Sequence, residues 1–248
     1  MKRFLLLVVF GLILVSMVVT TSCSQKMAKI RVATDATYPP FEYIDEQTNR
    51  FMGFDIDLIT AIAEKENLEI ELIDVRFEPL LEDMAQGKYD AAIAAISITE
   101  KRKKDMLFSD PYYVGGHVVT IRKDDISITG KDSLTGKVVG LKSGTTSAIE
   151  ISEMKGVTTK TYADYDMPFQ ALMNGEIDAV VSDNIFAVNY VNQNPTKLKL
   201  AGEPFTQEQY GIAVANNKPE LLAKINDGLR SVKGEGLIEK LSQKWLGQ

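Results

Sequence analysis

One strand unit occurs twice in the sequence, first as Gly87-Lys88-Tyr89-Asp90-Ala91-Ala92-Ile93-Ala94-Ala95 and, 88 positions later, as Gly175-Glu176-Ile177-Asp178-Ala179-Val180-Val181-Ser182-Asp183. Each copy follows a helix-like segment, so both copies predict the same order of helix, glycine stop, aspartate and buried strand. The repeat therefore implies two related halves. The first copy leads on to Arg102 and the second ends in Asp183, so a cation and an anion leave equivalent places in the two halves. This arrangement suits a zwitterion.

Strands and helices alternate around each copy of the repeat. Apolar residues recur at helical spacing between 54 and 63, and from Lys137 the whole alternation restarts. The predicted strands are 30–34, 69–74, 90–96, 138–141, 158–162 and 179–182, and the predicted helices are 54–67, 80–86, 147–154, 167–174, 183–192, 220–232 and 237–245. Such alternation favours an α/β fold in which each half is a mostly parallel sheet flanked by helices.

Two apolar, β-branched segments, 117–121 and 210–215, stand on either side of the second half. We interpret them as crossover strands that join two lobes and form a hinge, a geometry in which small ligands bind in the interdomain cleft. Lobe 1 would then comprise 30–117 and a return segment, 213–248, and lobe 2 would comprise 118–212 with the hinge strands at its ends. A single continuous α/β domain is the alternative.

The N-terminus has the pattern of an export signal. Lys2 and Arg3 precede sixteen mostly apolar residues, 4–19, and small residues follow up to Cys23. The apolar run is shorter than the roughly 18 residues of a membrane-spanning helix. We therefore predict a lipoprotein signal peptide over 1–22, lipidation of Cys23 and a short tether over 23–29. Thr20 departs from the usual processing pattern, so an uncleaved anchor or ordinary secretion remains the alternative.

Charge and cysteine content exclude several classes of function. The chain carries a formal net charge of −6, and removal of 1–22 with its two cations changes this to −8. An acidic chain with no basic run beyond 101–104 is unsuited to nucleic acid, which requires clustered cations. The sole cysteine lies at the predicted processing site, so no internal disulfide can form.

Several motifs, in order and at matching spacing, resemble those of one known family. They are Thr34-Asp35-Ala36-Thr37-Tyr38-Pro39-Pro40-Phe41-Glu42, Gly53-Phe54-Asp55-Ile56-Asp57-Leu58, Ile96-Ser97-Ile98-Thr99-Glu100-Lys101-Arg102, Phe108-Ser109-Asp110-Pro111-Tyr112-Tyr113 and Lys142-Ser143-Gly144-Thr145-Thr146. Together they resemble the polar amino acid-binding proteins of bacterial ABC transporters, which include binders of histidine, lysine/arginine/ornithine and glutamine. The resemblance implies a two-lobed periplasmic-binding-protein fold (type II) that closes on an amino acid and delivers it to an ABC permease. It also implies a monomer without a cofactor, held at the periplasmic or extracellular face only by its lipid anchor.

The resemblance assigns the two charges that the repeat delivers. Arg102 would clamp the ligand α-carboxylate, because a planar guanidinium can donate two parallel hydrogen bonds to it. Asp183, at the end of a buried strand, needs a cationic or hydrogen-bonding partner, and the ligand ammonium would serve. The alternatives are that Arg102 belongs to a solvated surface run and that Asp183 caps the following helix. Asp90 and Asp178 are interpreted as structural.

Smaller residues would complete the backbone-recognition site. Ala95 and Ser97 close the first buried strand, where small side chains let a ligand approach the main chain, as in the family. Thr145 and Thr146 enter a predicted helix whose exposed N–H groups favour an anion, so they should help to hold the α-carboxylate. Ordinary helix capping is the alternative for these threonines.

The resemblance places Asp35, Tyr38 and Phe77 around the ligand side chain, with the aromatics above and below a flat group and Asp35 accepting hydrogen bonds. A guanidinium, imidazole or amide would fit. Core packing and a turn at the Pro39-Pro40 pair are the alternatives. Lys142 complicates the specificity: pointing inward, it would disfavour a cationic side chain and resemble the glutamine pattern, whereas Asp35 with Tyr38 resembles the basic amino acid pattern. The sequence leaves this choice open.

An enzyme on the same fold, similar to cyclohexadienyl dehydratase, is the rival hypothesis. The ammonium-binding aspartate is generally not retained in that family, so Asp183 speaks against it. The sequence has no Gly-x-Ser-x-Gly motif, and its single histidine, His117, has neither a second histidine nor a nearby cysteine with which to bind a metal. We therefore expect a binding protein with no catalytic residues and no metal.

Overall fold

The computed structural model of the protein describes residues 29–247. The predicted signal peptide, Cys23 and all of the tether except Lys29 lie outside these residues. Within them the chain forms two lobes, each built on a five-stranded sheet with helices on its faces. None of the helices in 29–247 combines the length and the apolarity needed to cross a membrane.

The sheet of lobe 1 has the order β5-β1-β6-β15-β7. Its strands are β1 (Ile30–Thr34), β5 (Ile70–Asp74), β6 (Ala91–Ala92), β7 (Leu107–Phe108) and β15 (Ala213–Val214). The first three run parallel, and β15 is antiparallel to both of its neighbours. A small antiparallel sheet of β2 (Thr37–Tyr38), β3 (Glu42–Asp45) and β4 (Arg50–Met52) follows β1, and the helices α1 (Phe54–Lys65) and α2 (Phe77–Ala85) complete the βαβ pattern.

The sheet of lobe 2 has the order β11-β10-β12-β9-β13. Its strands are β9 (His117–Arg122), β10 (Val138–Lys142), β11 (Thr158–Tyr162), β12 (Ala179–Asp183) and β13 (Leu198–Ala201). The helices α3 (Thr146–Ser152), α4 (Asp166–Met173) and α5 (Asn184–Gln193) connect them. Strands β10, β11 and β12 are parallel, whereas β9 runs antiparallel between β12 and β13.

The repeated unit makes the same contacts in both lobes. Gly87 and Gly175 end their helices with positive φ angles of 68° and 78°, which glycine adopts without steric cost. The next aspartate then accepts a hydrogen bond from the first parallel strand: Asp90 from the Arg31 N–H and Asp178 from the Val138 N–H, each at 2.7 Å. Both aspartates therefore fix strand register, in agreement with their structural interpretation.

The two copies differ where the strand ends. The second copy continues as β12 to Asp183, but the first is a ladder strand only at Ala91–Ala92, not over the predicted 90–96. Ala95 has a φ of +45°, and its N–H donates to the Asp55 carboxylate at 2.8 Å rather than to a neighbouring strand. The backbone of lobe 1 thus leaves the sheet just where it reaches the cleft.

The lobes are joined by a two-stranded antiparallel sheet of β8 (Tyr113–Gly115) and β14 (Glu208–Tyr210). This differs from the predicted crossover strands. The segment 117–121 belongs to the sheet of lobe 2, and Ala213–Val214 belongs to that of lobe 1. Apolar composition identified buried strands correctly but did not find the crossing, because β8 and β14 are only partly buried and contain a single β-branched residue, Val114.

The chain returns to lobe 1 through α6 (Pro219–Gly234) and α7 (Leu237–Leu241), followed by a π-helical turn, Ser242–Leu246. Gly228 of α6 lies so close to α1 that a Cβ there would approach Ile62 to 3.0 Å. The Trp245 indole N–H donates to Asp57 at 2.8 Å, which fixes the last turn against the same helix.

Position 116, between β8 and β9, requires glycine because the returning chain passes very close to it. A Cβ at this position would lie 2.2 Å from the Thr206 carbonyl oxygen, and such overlap forces the backbone to shift. We expect Gly116→Ala to lower the free energy of unfolding by about 1–3 kcal/mol in urea denaturation. Gly234→Ala is the control, because no atom lies within 4 Å of its added Cβ. Equal losses in both variants would contradict this account.

Candidate functional site

Whereas Arg102 and Thr146 line a separate, larger pocket, five of the predicted site residues line a cavity of about 20 Å³ between the lobes. This volume admits about one water molecule, so side chains from both lobes occupy most of the space. The cavity is lined by Tyr38, Glu42, Phe77, Ala94, Ala95, Lys142, Thr145, Tyr165 and Asp183. The first five come from lobe 1 and the last four from lobe 2.

Asp183 faces the opposite lobe and does not cap its own helix. It occupies the N-cap position of α5 but makes no side-chain capping hydrogen bond. Its Oδ2 instead accepts a hydrogen bond from the Tyr38 hydroxyl across the cleft. The Tyr38 ring is stacked on Phe186, with centroids 4.5 Å apart. Burial raises the pKa of Tyr38 well above its usual value, and the Asp183 charge raises it further, so Tyr38 remains a donor.

Arg102 is buried, unlike the lysines on either side of it. It is 8% exposed, whereas Lys101, Lys103 and Lys104 are exposed, so the surface-run alternative does not describe this residue. Its guanidinium donates to the Ser97 carbonyl oxygen at 2.8 Å and, across the cleft, to the Gly144 carbonyl oxygen at 2.9 Å. Burial lowers the pKa of Arg102 to about 10, against the opposing effects of nearby acids, so the group stays charged at neutral pH.

Of the two threonines near Arg102, Thr145 caps a helix and Thr146 faces the cleft. Thr145 is the N-cap of α3: its Oγ1 accepts from the Ala148 N–H at 3.1 Å. Thr146 turns toward lobe 1, and its Oγ1 lies 3.3 Å from the Ser97 Oγ. The structure thus brings Ser97 and Thr146 together across the cleft, whereas the Thr145 hydroxyl is already engaged in its own helix.

Asp35 and Lys142 form a buried ion pair between the lobes. Asp35 Oδ2 lies 2.6 Å from Lys142 Nζ, and the two side chains are 0% and 3% exposed. The same carboxylate accepts the Phe77 N–H at 3.1 Å. The Lys142 ammonium lies 5.1, 5.5 and 5.8 Å from the ring centroids of Tyr38, Phe77 and Tyr165. Lys142 therefore points inward, the orientation on which the sequence-based specificity argument depended.

Comparison with known proteins agrees with this architecture. The profile of the family described as "Bacterial extracellular solute-binding proteins, family 3" matches residues 30–248. The chain belongs to this family. It is 36% identical to the ABC transporter arginine-binding protein 1 of Escherichia coli K12, over 89% of this chain and 91% of that protein. It is 30% identical to the arginine-binding periplasmic protein of Mannheimia haemolytica, over 100% and 99% of the two chains.

Solved structures of such solute-binding proteins confirm the fold. An ancestral arginine-binding protein bound to glutamine is 41% identical, has a TM-score of 0.84, and is matched over 89% of this chain and 98% of its own. The arginine-, lysine-, histidine-binding protein ArtJ from Geobacillus stearothermophilus is 31% identical with the same TM-score, over 89% and 96%. The prediction of a two-lobed α/β fold of the type II periplasmic-binding class is therefore confirmed.

Glu42 also lines this candidate site, and sequence reasoning missed it. It is 1% exposed, it lines the cavity, and its Oε2 has no hydrogen-bond partner within residues 29–247. Burial, together with the charges of Asp55 and Asp35, raises the pKa of Glu42 well above its usual value. The signal was present in the quoted motif, where an acid follows Phe41, but in a strand an acid at such a position is normally exposed.

Tyr165 was also missed, because it lies in an unremarkable stretch before α4. It is 1% exposed, and burial raises its pKa well above the usual value, so its hydroxyl is not ionised. Within residues 29–247, no group of three or more histidine, cysteine, aspartate or glutamate side chains has the geometry to hold a metal ion.

Asp55 accepts the Ala95 N–H at the cleft, and its ionisation affects the stability of the folded protein. Burial raises the pKa of Asp55 from 3.8 to about 7, although hydrogen bonds from the Ala95 N–H and the Tyr112 hydroxyl oppose the rise. A raised pKa means that the unfolded chain loses this proton first as the pH increases, so the folded state loses stability between about pH 4 and pH 7.

We therefore expect Asp55→Asn, which can still accept both hydrogen bonds, to become more stable relative to the wild type as the pH rises through this window. Urea denaturation at several pH values measures the difference. Asp45→Asn is the control, because hydrogen bonds from Thr48 lower the pKa of Asp45, so its effect has the opposite sign and lies below about pH 4, outside this window. A constant difference between Asp55→Asn and the wild type would contradict the assignment.

Proposed function

We propose that this protein captures one polar amino acid between its lobes by hinge closure and delivers it to an ABC permease. The observation that carries the proposal is the placement of Arg102 and Asp183. Arg102 of lobe 1 is buried and Asp183 of lobe 2 is half-buried, and the two groups are close enough that the Asp183 charge acts on the Arg102 guanidinium. A zwitterionic amino acid offers a carboxylate to the first and an ammonium to the second, and it can satisfy both only when the lobes are together.

Hinge closure follows from this division of contacts. A ligand that binds both lobes has more contacts in the closed form, so it shifts the population toward that form. The crossing is a short two-stranded sheet, β8 with β14, in which changes in a few dihedral angles can move one lobe relative to the other. The closed form is the one that we expect the permease to recognise.

The side chain of the ligand would enter between Tyr38 and Phe77. We propose a long side chain that ends in a planar, nitrogen-bearing group, namely a guanidinium or an amide. Asp35 and Lys142 neutralise each other, which suits a neutral amide. Glu42 adds a carboxyl group that could ionise to meet a guanidinium. Relatives named for arginine, and an ancestral relative bound to glutamine, support the same two ligands.

The remaining features of the proposal concern the location of the protein. We propose that the segment 1–22 is an export signal and that Cys23 is lipidated, so a monomer is held at the outer face of the membrane by its lipid anchor. Labelling with a palmitate analogue in cells, with Cys23→Ala as the control, tests the anchor. A binding protein rather than an enzyme is proposed, since the curated relatives are binding proteins; turnover of prephenate by the purified protein would favour the dehydratase alternative.

A thermal-shift screen of the twenty amino acids and ornithine tests the binding function. A ligand that binds only the folded protein raises its apparent stability, so we expect the largest shift with arginine or glutamine. Arg102→Ala should lose about 30- to several-thousand-fold in affinity, because removing one member of a buried charge pair costs roughly 2–5 kcal/mol. Lys103→Ala, next in the chain and exposed, is the matched control. Binding by Arg102→Ala at wild-type affinity would rule out this carboxylate site.

Glu42→Gln tests how the two ligands are distinguished. If arginine binds by ionising Glu42, the variant should bind arginine about tenfold or more weakly, whereas glutamine should be little affected. Calorimetry of the wild type in buffers of different ionisation enthalpy should also show that arginine releases more protons than glutamine. Equal losses for both ligands would mean that Glu42 does not contact the side chain.

A further inference from the structure

The only histidine of the chain lies directly behind the proposed backbone-recognition site. His117 is the first residue of β9, it follows the crossover strand β8, and it is 2% exposed. It stands opposite Asp183 in the antiparallel pair of β9 and β12. The sequence predicted only a residue of a crossover strand, whereas the sheet register places its ring beside the site.

The imidazole is surrounded by acids from three separate elements. Its Nδ1 lies 3.2 Å from Oε2 of Glu150 on α3, and its Nε2 lies 3.8 Å from Oδ1 of Asp183 on β12 and 4.0 Å from Oε1 of Glu208 on β14. Two cations face the same cluster: Lys131 pairs with Glu150, and the positive charge of Arg102 is stabilised by Glu208 and Asp183.

The second nitrogen also contacts the threonine that faces the cleft, with His117 Nε2 lying 3.2 Å from Thr146 Oγ1. Because the Glu150 carboxylate, paired with Lys131, can only accept, Nδ1 is the nitrogen that carries the first proton. In the neutral imidazole Nε2 then accepts, and the Thr146 hydroxyl must donate to it. In the imidazolium Nε2 donates instead, which frees the Thr146 hydrogen for another acceptor, either Ser97 Oγ at 3.3 Å or a ligand in the cleft.

We propose that His117 is a positioning residue whose second proton turns the Thr146 hydroxyl toward the α-carboxylate of the bound amino acid. The inference rests on the proposed function and adds to it a proton that is taken up when the ligand binds. His117 itself acts through Thr146 and makes no contact with the ligand in this account.

The charges around His117 support the same proposal. With Glu150 offset by Lys131, the cluster contains Asp183 and Glu208 against the single cation Arg102. An imidazolium supplies the missing positive charge. The α-carboxylate and α-ammonium of the ligand add no net charge, so they leave this requirement in place while giving the freed Thr146 hydroxyl an acceptor. The complex should therefore hold the second proton of His117 more tightly than the free protein does.

Calorimetric titration at about pH 6 and about pH 8 tests the proposal, using L-glutamine or L-arginine, whichever gives the larger thermal shift. One unit of change in proton affinity corresponds to about a tenfold change in ligand affinity. We expect the ratio of the affinity at pH 6 to that at pH 8 to be about threefold to tenfold larger in the wild type than in His117→Gln. Contributions from Glu42 and Asp55 are common to both proteins and cancel in this comparison. A purification tag without histidine is required.

Thr146 provides the second set of variants. Thr146→Val keeps the shape but removes the hydroxyl, so it should reduce the pH dependence to that of His117→Gln, whereas Thr146→Ser should retain it. Because the chain has one histidine, its NMR signal can be followed without assignment, and its titration should move to higher pH when ligand is added. Urea denaturation of each variant verifies folding.

Equal pH dependence in the wild type and His117→Gln, or a histidine titration that moves to lower pH with ligand, would overturn the positioning role while leaving amino acid binding intact. Failure of every amino acid to bind at either pH would instead remove the proposed function, and the inference with it.

Discussion

The closed arrangement of this protein depends on placing charged groups from two lobes in one cleft. Asp35 with Lys142 and Arg102 with the Gly144 carbonyl oxygen each cross between the lobes, and each is buried. Burying a charge is costly unless it is paired and hydrogen-bonded, so these groups must find protein partners in place of water when the lobes meet. The same requirement explains why a zwitterion can govern closure: it provides partners for Arg102 and Asp183 that water would otherwise supply.

The duplicated strand unit explains how both lobes come to present polar groups at the cleft. In both lobes an aspartate that follows a helix accepts a main-chain hydrogen bond and so fixes the register of the parallel strands. Beyond that point the copies diverge. In lobe 1 the Asp55 carboxylate draws the Ala95 N–H away from the ladder, and in lobe 2 the ladder continues to Asp183. One copy therefore presents main chain and the other presents a carboxylate at equivalent edges of the cleft.

A second consequence of burial is that two acids near the site have raised pKa values. Burial raises the pKa of Asp55 to about 7 and that of Glu42 well above its usual range. The cleft can therefore present either a neutral or a negative surface to a side chain at little structural cost.

The sequence by itself determined the α/β class, the two halves and the family, because hydrophobic periodicity and local motifs depend on residues close together in the chain. It also identified Arg102, Asp183 and the Asp35–Tyr38 motif as candidates for the site, and the structure brings them together. Only the tertiary structure decided that β9 is a sheet strand and not the crossing, that Lys142 points inward, that Glu42 lines the cavity between the lobes, and that His117 lies beside Asp183. These facts depend on strand order and on which side chains meet across the cleft, which are long-range contacts that no local pattern encodes.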